Sequence, residues 1–95
     1  MNALAKAKMY YEAMHMSKAG IYNQLTSQYG EKFPAEAAQF AIDNLKVDYM
    51  EAALKKGKTY QKEMAMSKQA VYDRLVSEIE GFTAEEAQYA VDHLE

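Results

Sequence analysis

The chain holds two histidines, fourteen acidic residues, eleven bases and no cysteine. A catalytic site needs some of these brought together in a recognisable pattern. His15 and His93 have no counterpart in the other half of the chain, where Ala65 and Asn44 stand, and no cysteine lies near either; His93 follows Asp92 directly. Adjacent residues on a helix point in different directions, so Asp92 and His93 do not make a dyad. No glycine-rich phosphate loop, nucleophile motif or metal-ligand spacing appears. Both histidines therefore read as exposed polar residues. The chain reads as a non-enzyme with no cofactor and no metal.

The acidic residues are more informative. From Asp73 to Glu95 there are seven acids and a single base, Arg74. Residues 1–47 carry five lysines against four acids, for a charge of +1. Residues 48–95 carry six bases against ten acids, for −4. Asp73, Glu78, Glu80, Glu85, Glu86 and Asp92 are the candidate contact residues. Such a cluster either keeps a face solvated or docks a basic protein segment by charge. The unequal charge of two otherwise similar halves favours docking.

The elements that must carry these residues come in pairs. Met14-His15-Met16-Ser17-Lys18 returns as Met64-Ala65-Met66-Ser67-Lys68, and Gly20 to Leu25 is answered by Ala70 to Leu75. Phe33 to Leu45 is answered by Phe82 to Leu94. The offset is 50 positions as far as Tyr29 and Ile79, then 49, so the second copy has lost one residue. This is a tandem duplication, with a first repeat at 1–47 and a second at 48–95.

Each repeat reads as three helices. Ala3, Leu4, Ala7, Tyr10 and Met14 recur at spacings of three and four, and the second copy places Ala53, Leu54, Gly57, Tyr60 and Met64 likewise. Gly57 in place of Ala7 suggests two helices approaching closely. Ser17 and Ser67 read as N-caps of the second helices, with Ile21 and Leu25, or Val71 and Leu75, facing inward. Gly30 reads as the stop of the second helix in the first copy. Thr83 and Glu86 fit a capping box for the third helix, whereas Pro34 leaves its counterpart uncapped. Between the repeats, either Asp48 with Glu51 caps a fresh helix or the third helix runs nearly straight into the fourth, and the reading preferred is a short break at 46–48. The fold class is all-α: two helix-turn-helix-like units, with four to seven residues joining the second and third helices.

That shape raises DNA binding, and charge argues against it. Residues 35–45 and 84–94 contain no Lys or Arg. A helix entering the major groove needs bases around it to meet phosphates. The methionines of the Met-x-Met-Ser-Lys segments read as packing fill at the turn between first and second helices. Tyr10, Tyr22, Tyr60 and Tyr72 recur and read as half-buried, while Tyr11, Tyr29 and Tyr49 do not recur and read as surface residues. No run reaches the roughly 18 apolar residues of a membrane-spanning helix.

The ordered pattern Met-Ser-Lys-x-x-Ile/Val-Tyr-x-x-Leu-x-Ser, then Gly-x-x-Phe or Gly-Phe, then Glu-x-Ala-Gln-Phe/Tyr-Ala-Ile/Val-Asp-x-Leu, occurs in both copies. It resembles the Ltp-type repeat of host cell surface-exposed lipoproteins. The resemblance implies a prophage-encoded lipoprotein of streptococcal temperate phages that mediates superinfection exclusion. It implies blocked release of incoming phage DNA, with the tail's tape measure protein as partner. It also implies a lipid anchor on an N-terminal cysteine, holding the repeats outside the cytoplasmic membrane. This chain lacks that front segment, so it is expected to be a soluble extracellular fragment, monomeric and without affinity for nucleic acid. The alternative is a cell-envelope repeat with no phage role, binding wall polymer through Tyr11, Tyr29 and Tyr49.

Overall fold

A computed structural model describes residues 2–95. Six helices follow one another: α1 (Ala3–Met14), α2 (Lys18–Thr26), α3 (Ala35–Asn44), α4 (Tyr49–Met64), α5 (Lys68–Leu75) and α6 (Ala84–Asp92). There is no strand among the described residues. Helices α1–α3 pack on one another, and so do α4–α6, giving two three-helix units in a body of 39 × 25 × 20 Å.

The helix starts follow local chemistry. Ser17 Oγ accepts from the Gly20 N–H at 2.9 Å, and Ser67 Oγ from the Ala70 N–H at 3.2 Å. Thr83 and Glu86 form the reciprocal capping box, each side chain accepting from the other's backbone N–H. Pro34 begins α3 with no side-chain cap. Asp48 accepts from the Met50 N–H at 2.9 Å and opens α4, after a non-helical break at 45–48.

Each unit has its own core. Ile21, Leu25, Ile42 and Leu45 fill the first, and Val71, Leu75, Phe82 and Leu94 the second. The outer helices meet through small residues: Ala3 and Ala7 with Ala38 and Ala41, and Ala53 and Gly57 with Ala87 and Ala90. A methyl group added at Gly57 would meet only ordinary contacts, Val71 Cγ1 at 3.4 Å and Leu94 Cδ2 at 3.7 Å. The approach at Gly57 is thus close without requiring glycine.

Several local expectations are corrected. Helix α2 closes at Ser27, before Gly30, whose backbone lies so near the Gln24 carbonyl that a Cβ has no room. The loops joining second and third helices span 27–34 and 76–83, eight residues each, because α5 stops one residue earlier than α2. In both loops the phenylalanine N–H returns to the preceding leucine carbonyl, Phe33 to Leu25 at 2.8 Å and Phe82 to Leu75 at 2.9 Å. Met14 and Met64 are more than half exposed and do not fill the core. They precede His15 and Ala65, which end α1 and α4 in the left-handed conformation with φ of 51° and 53°.

The two units touch through residues that have no counterpart role. Tyr11 packs against both cores, stands edge-on to Tyr49 at 6.0 Å, and donates to the Asp48 carbonyl at 2.6 Å. Tyr11 and Tyr49 are half-buried joint residues, and only Tyr29 of the three non-recurring tyrosines is fully exposed. Ser17, wholly buried, also donates to the Glu80 carbonyl of the second unit.

Candidate docking surface

The six acids fall on three elements of the second unit. Asp73 is on α5, Glu78 and Glu80 are in the 76–83 loop, and Glu85, Glu86 and Asp92 are on α6. Their side chains are not equally available. Glu78 and Glu85 are exposed and carry no side-chain hydrogen bond or ion pair among the described residues. Asp73 is exposed and accepts from Gln69 Nε2 at 3.0 Å, and Asp92 accepts from Gln88 Nε2 at 2.8 Å. Each of these carboxylates keeps lone pairs free for a further donor. Glu86 is half-buried and closes the capping box.

Glu80 is turned inward. Its carboxylate accepts from the Tyr60 hydroxyl and pairs with Lys56 at 3.7 Å, with the side chain only 10% exposed. The first unit repeats the arrangement: Glu31 accepts from Tyr10 and pairs with Lys6 at 3.3 Å. Each trio ties the loop between second and third helices to the first helix. Burial, followed by the Glu80 carboxylate, pushes the Tyr60 phenol above its ordinary value, so it stays protonated and donating. The Tyr10 hydrogen bond, with Lys6 beside it, holds Glu31 below the usual carboxylate range. The signal was present in the sequence: Lys6, Tyr10 and Glu31 recur together as Lys56, Tyr60 and Glu80.

Arg74 follows the same inward logic. It is half-buried, with its guanidinium carbon 5.4 Å from the Tyr60 ring centroid. The single base between Asp73 and Glu95 is therefore partly covered, while Asp73, Glu78, Glu85 and Asp92 face solvent.

The histidines differ from each other. His93 is exposed, as expected, and its ring lies 4.1 Å from the Tyr89 ring. His15 is half-buried, and burial, then Lys55 and Lys56, pull its pKa below 6.5. No cluster of three or more His, Cys, Asp or Glu residues that could hold a metal occurs among the described residues.

Grooves run between the second and third helices of each unit. One of about 320 Å³ is lined by Lys18, Tyr22, Gln39 and Ile42, and is walled by Thr83 and Glu86 from the other unit. One of about 180 Å³ is lined by Lys68, Gln69, Tyr72, Gln88 and Val91, all from the second unit.

An all-helical tandem repeat of a helix-turn-helix-like unit, with one unit's outward charge acidic, is the class these features define. The model of the family described as host cell surface-exposed lipoprotein matches residues 1–45 and again 48–94. The chain belongs to that family. It is also similar to a solved structure, that of Ltp, a superinfection exclusion protein from the Streptococcus thermophilus temperate phage TP-J34. The two share 43% identity over 98% of this chain and 92% of the other, with a TM-score of 0.89. No curated protein matches the chain. Among the described residues no helix is long and apolar enough to cross a membrane.

Proposed function

We propose that this chain is a non-enzymatic superinfection-exclusion module. It stops an incoming phage from passing its DNA into the host by holding a tail component, the tape measure protein, against an acidic surface. The supporting likeness is to a protein that is itself a superinfection exclusion protein. The observation that carries the charge argument is Arg74. With that base half-buried against Tyr60, the fully exposed charged side chains of the stretch from Asp73 to Asp92 are acidic. A surface of one sign raises the encounter rate with a basic segment and disfavours partners of like charge.

The contact residues in this reading are Asp73, Glu78, Glu85 and Asp92, with Glu86 at their edge. Glu80 serves the loop and contributes little to a partner. The repeats act outside the cytoplasmic membrane, held there by a lipid anchor upstream, and the module works as a monomer without nucleic acid. The wall-polymer alternative loses ground because Tyr11 and Tyr49 are joint residues and leave Tyr29 alone on the surface. DNA binding has no basic third helix to use.

Binding of purified tape measure protein to this chain, measured at low and high salt, tests the reading. A charge-driven complex weakens by about tenfold or more with added salt, because exposed charges are screened. Reversing Glu78, Glu85 and Asp92 together to Lys should abolish it. Binding that survives both changes would remove the acidic surface from the account.

A further inference from the structure

A glycine brings the second unit against α2 of the first. Gly81 has a φ of 75°, and Lys32, at the equivalent place in the first unit, has a φ of 59°. The left-handed turn therefore belongs to both copies, but only the second copy puts glycine there. A Cβ at Gly81 would lie 3.1 Å from Ser17 Oγ and 3.3 Å from the Ala19 Cβ. Lacking one, the 76–83 loop lies directly on α2, beside the Ser17 hydrogen bond to the Glu80 carbonyl.

That contact closes one side of a groove. Ala19, Tyr22 and Ile42 of α2 and α3 form its floor, and Gly81, Thr83 and Glu86 form the facing wall. The groove holds about 320 Å³ and is mostly apolar. Its equivalent in the second unit is smaller, about 180 Å³, and more polar. There Gln69 stands in place of Ala19 and Val91 in place of Ile42, and the lining residues all come from the second unit. The larger, apolar site is thus a product of the joint and not of either repeat alone.

Two charges border it, Lys18 at the amino end of α2 and Glu86 on α6. Glu86 Oε1 accepts from the Thr83 N–H at 3.0 Å, which leaves Oε2 without a partner among the described residues. Glu85, exposed, follows the same wall in sequence, so the groove adjoins the acidic surface at this edge. An apolar floor with a carboxylate on its wall fits a large apolar side chain that has a cation beside it.

We propose that the groove at the joint seats one large apolar side chain of the basic partner segment, whose neighbouring Lys or Arg meets Glu86. This rests on the acidic-surface reading and adds to it the apolar anchor that charge alone lacks. A volume of about 320 Å³ admits an aromatic side chain with the backbone that carries it. Burial of the anchor supplies affinity, while the carboxylate selects the basic neighbour. Lys18, on the α2 side, repels a second cation and gives the segment a direction. Floor and wall come from different units, so the site exists only in the duplicated chain.

Two synthetic peptides with the same lysines, one with a central phenylalanine and the other with serine there, test this. Each is titrated at low salt into the isotope-labelled chain and followed by backbone amide signals. The phenylalanine peptide should bind about tenfold tighter, the increment expected from burying one large apolar side chain. Its largest shifts should fall on Tyr22, Ile42 and Gly81, in both units at once. Glu86→Gln keeps the capping box, where glutamine serves as well, and should weaken that peptide several-fold. Ala19→Gln gives α2 the residue that α5 carries at Gln69, and should erase the preference for phenylalanine while the other amide signals stay in place. A preference that survives Ala19→Gln would overturn the groove and leave the acidic surface standing. So would equal binding of both peptides with Tyr22 and Ile42 unmoved. Binding by neither peptide would overturn the groove and count against the acidic surface as well.

Discussion

Ser17 of the first unit donates its hydroxyl to the backbone carbonyl of Glu80 in the second. Its repeat counterpart, Ser67, is exposed and only caps its helix. Duplication thus produced two copies of one cap, of which one also joins the units. Ser67→Ala should cost about 1 kcal/mol, the value of an N-cap. Ser17→Ala should cost about 2 kcal/mol, because it also leaves a part-buried carbonyl without its donor. Urea denaturation of both variants checks the order, and equal losses would show that the joint contributes nothing.

Gly57 and Gly30 should respond oppositely to a methyl group. At Gly57 there is room, and Ala7 stands at the equivalent position, so Gly57→Ala should stabilise by about 0.5–1 kcal/mol. At Gly30 the Gln24 carbonyl blocks a Cβ, so Gly30→Ala should lower the denaturation midpoint. Thermal melts of the two variants, with shifts of opposite sign, are the expected result.

The Tyr49 hydroxyl is buried without a hydrogen-bond partner among the described residues. Tyr49→Phe keeps the ring against Tyr11 and removes the unpaired group, so stability should rise or hold, by up to about 1 kcal/mol. A clear loss on the same denaturation curve would mean that the hydroxyl is satisfied.

His15 should give the fold a pH dependence near neutrality. Burial and the Lys55 and Lys56 charges lower its pKa in the folded chain below the 6.5 of an ordinary imidazole. The unfolded chain therefore binds the proton first as pH falls. Stability is complete above pH 6.5 and declines as pH drops from there towards the lower folded value. His15→Asn, which tolerates the left-handed backbone, should flatten the melting temperature across that window. An unchanged slope would place the titrating group elsewhere.

What the sequence made legible was local. The caps at Ser17, Ser67 and Thr83 depend on residues within three positions, and all three form. The break before Asp48 and the two cores follow from spacing and duplication in the same way. What stayed hidden depends on how separate segments meet. Tyr11 and Tyr49 look like surface residues until the units are set side by side, when each covers the joint. Met14 and Met64 look apolar enough for the core, yet the helix ends at His15 and Ala65 and leaves them exposed. Of the six acids, Glu80 is turned inward and Glu86 closes a helix cap, and charge counting alone cannot see Tyr60 and Lys56 reaching Glu80. The groove at the joint needed both units in place before Thr83 and Glu86 could be seen to wall it.

The most direct test of the account is to carry this chain on a lipid anchor at the surface of a phage-sensitive Streptococcus thermophilus host. Phage adsorption and phage DNA inside the cell are then measured separately. Normal adsorption with little DNA entering is the predicted result. Normal DNA entry, with surface display verified and several temperate and lytic phages tried, would contradict it.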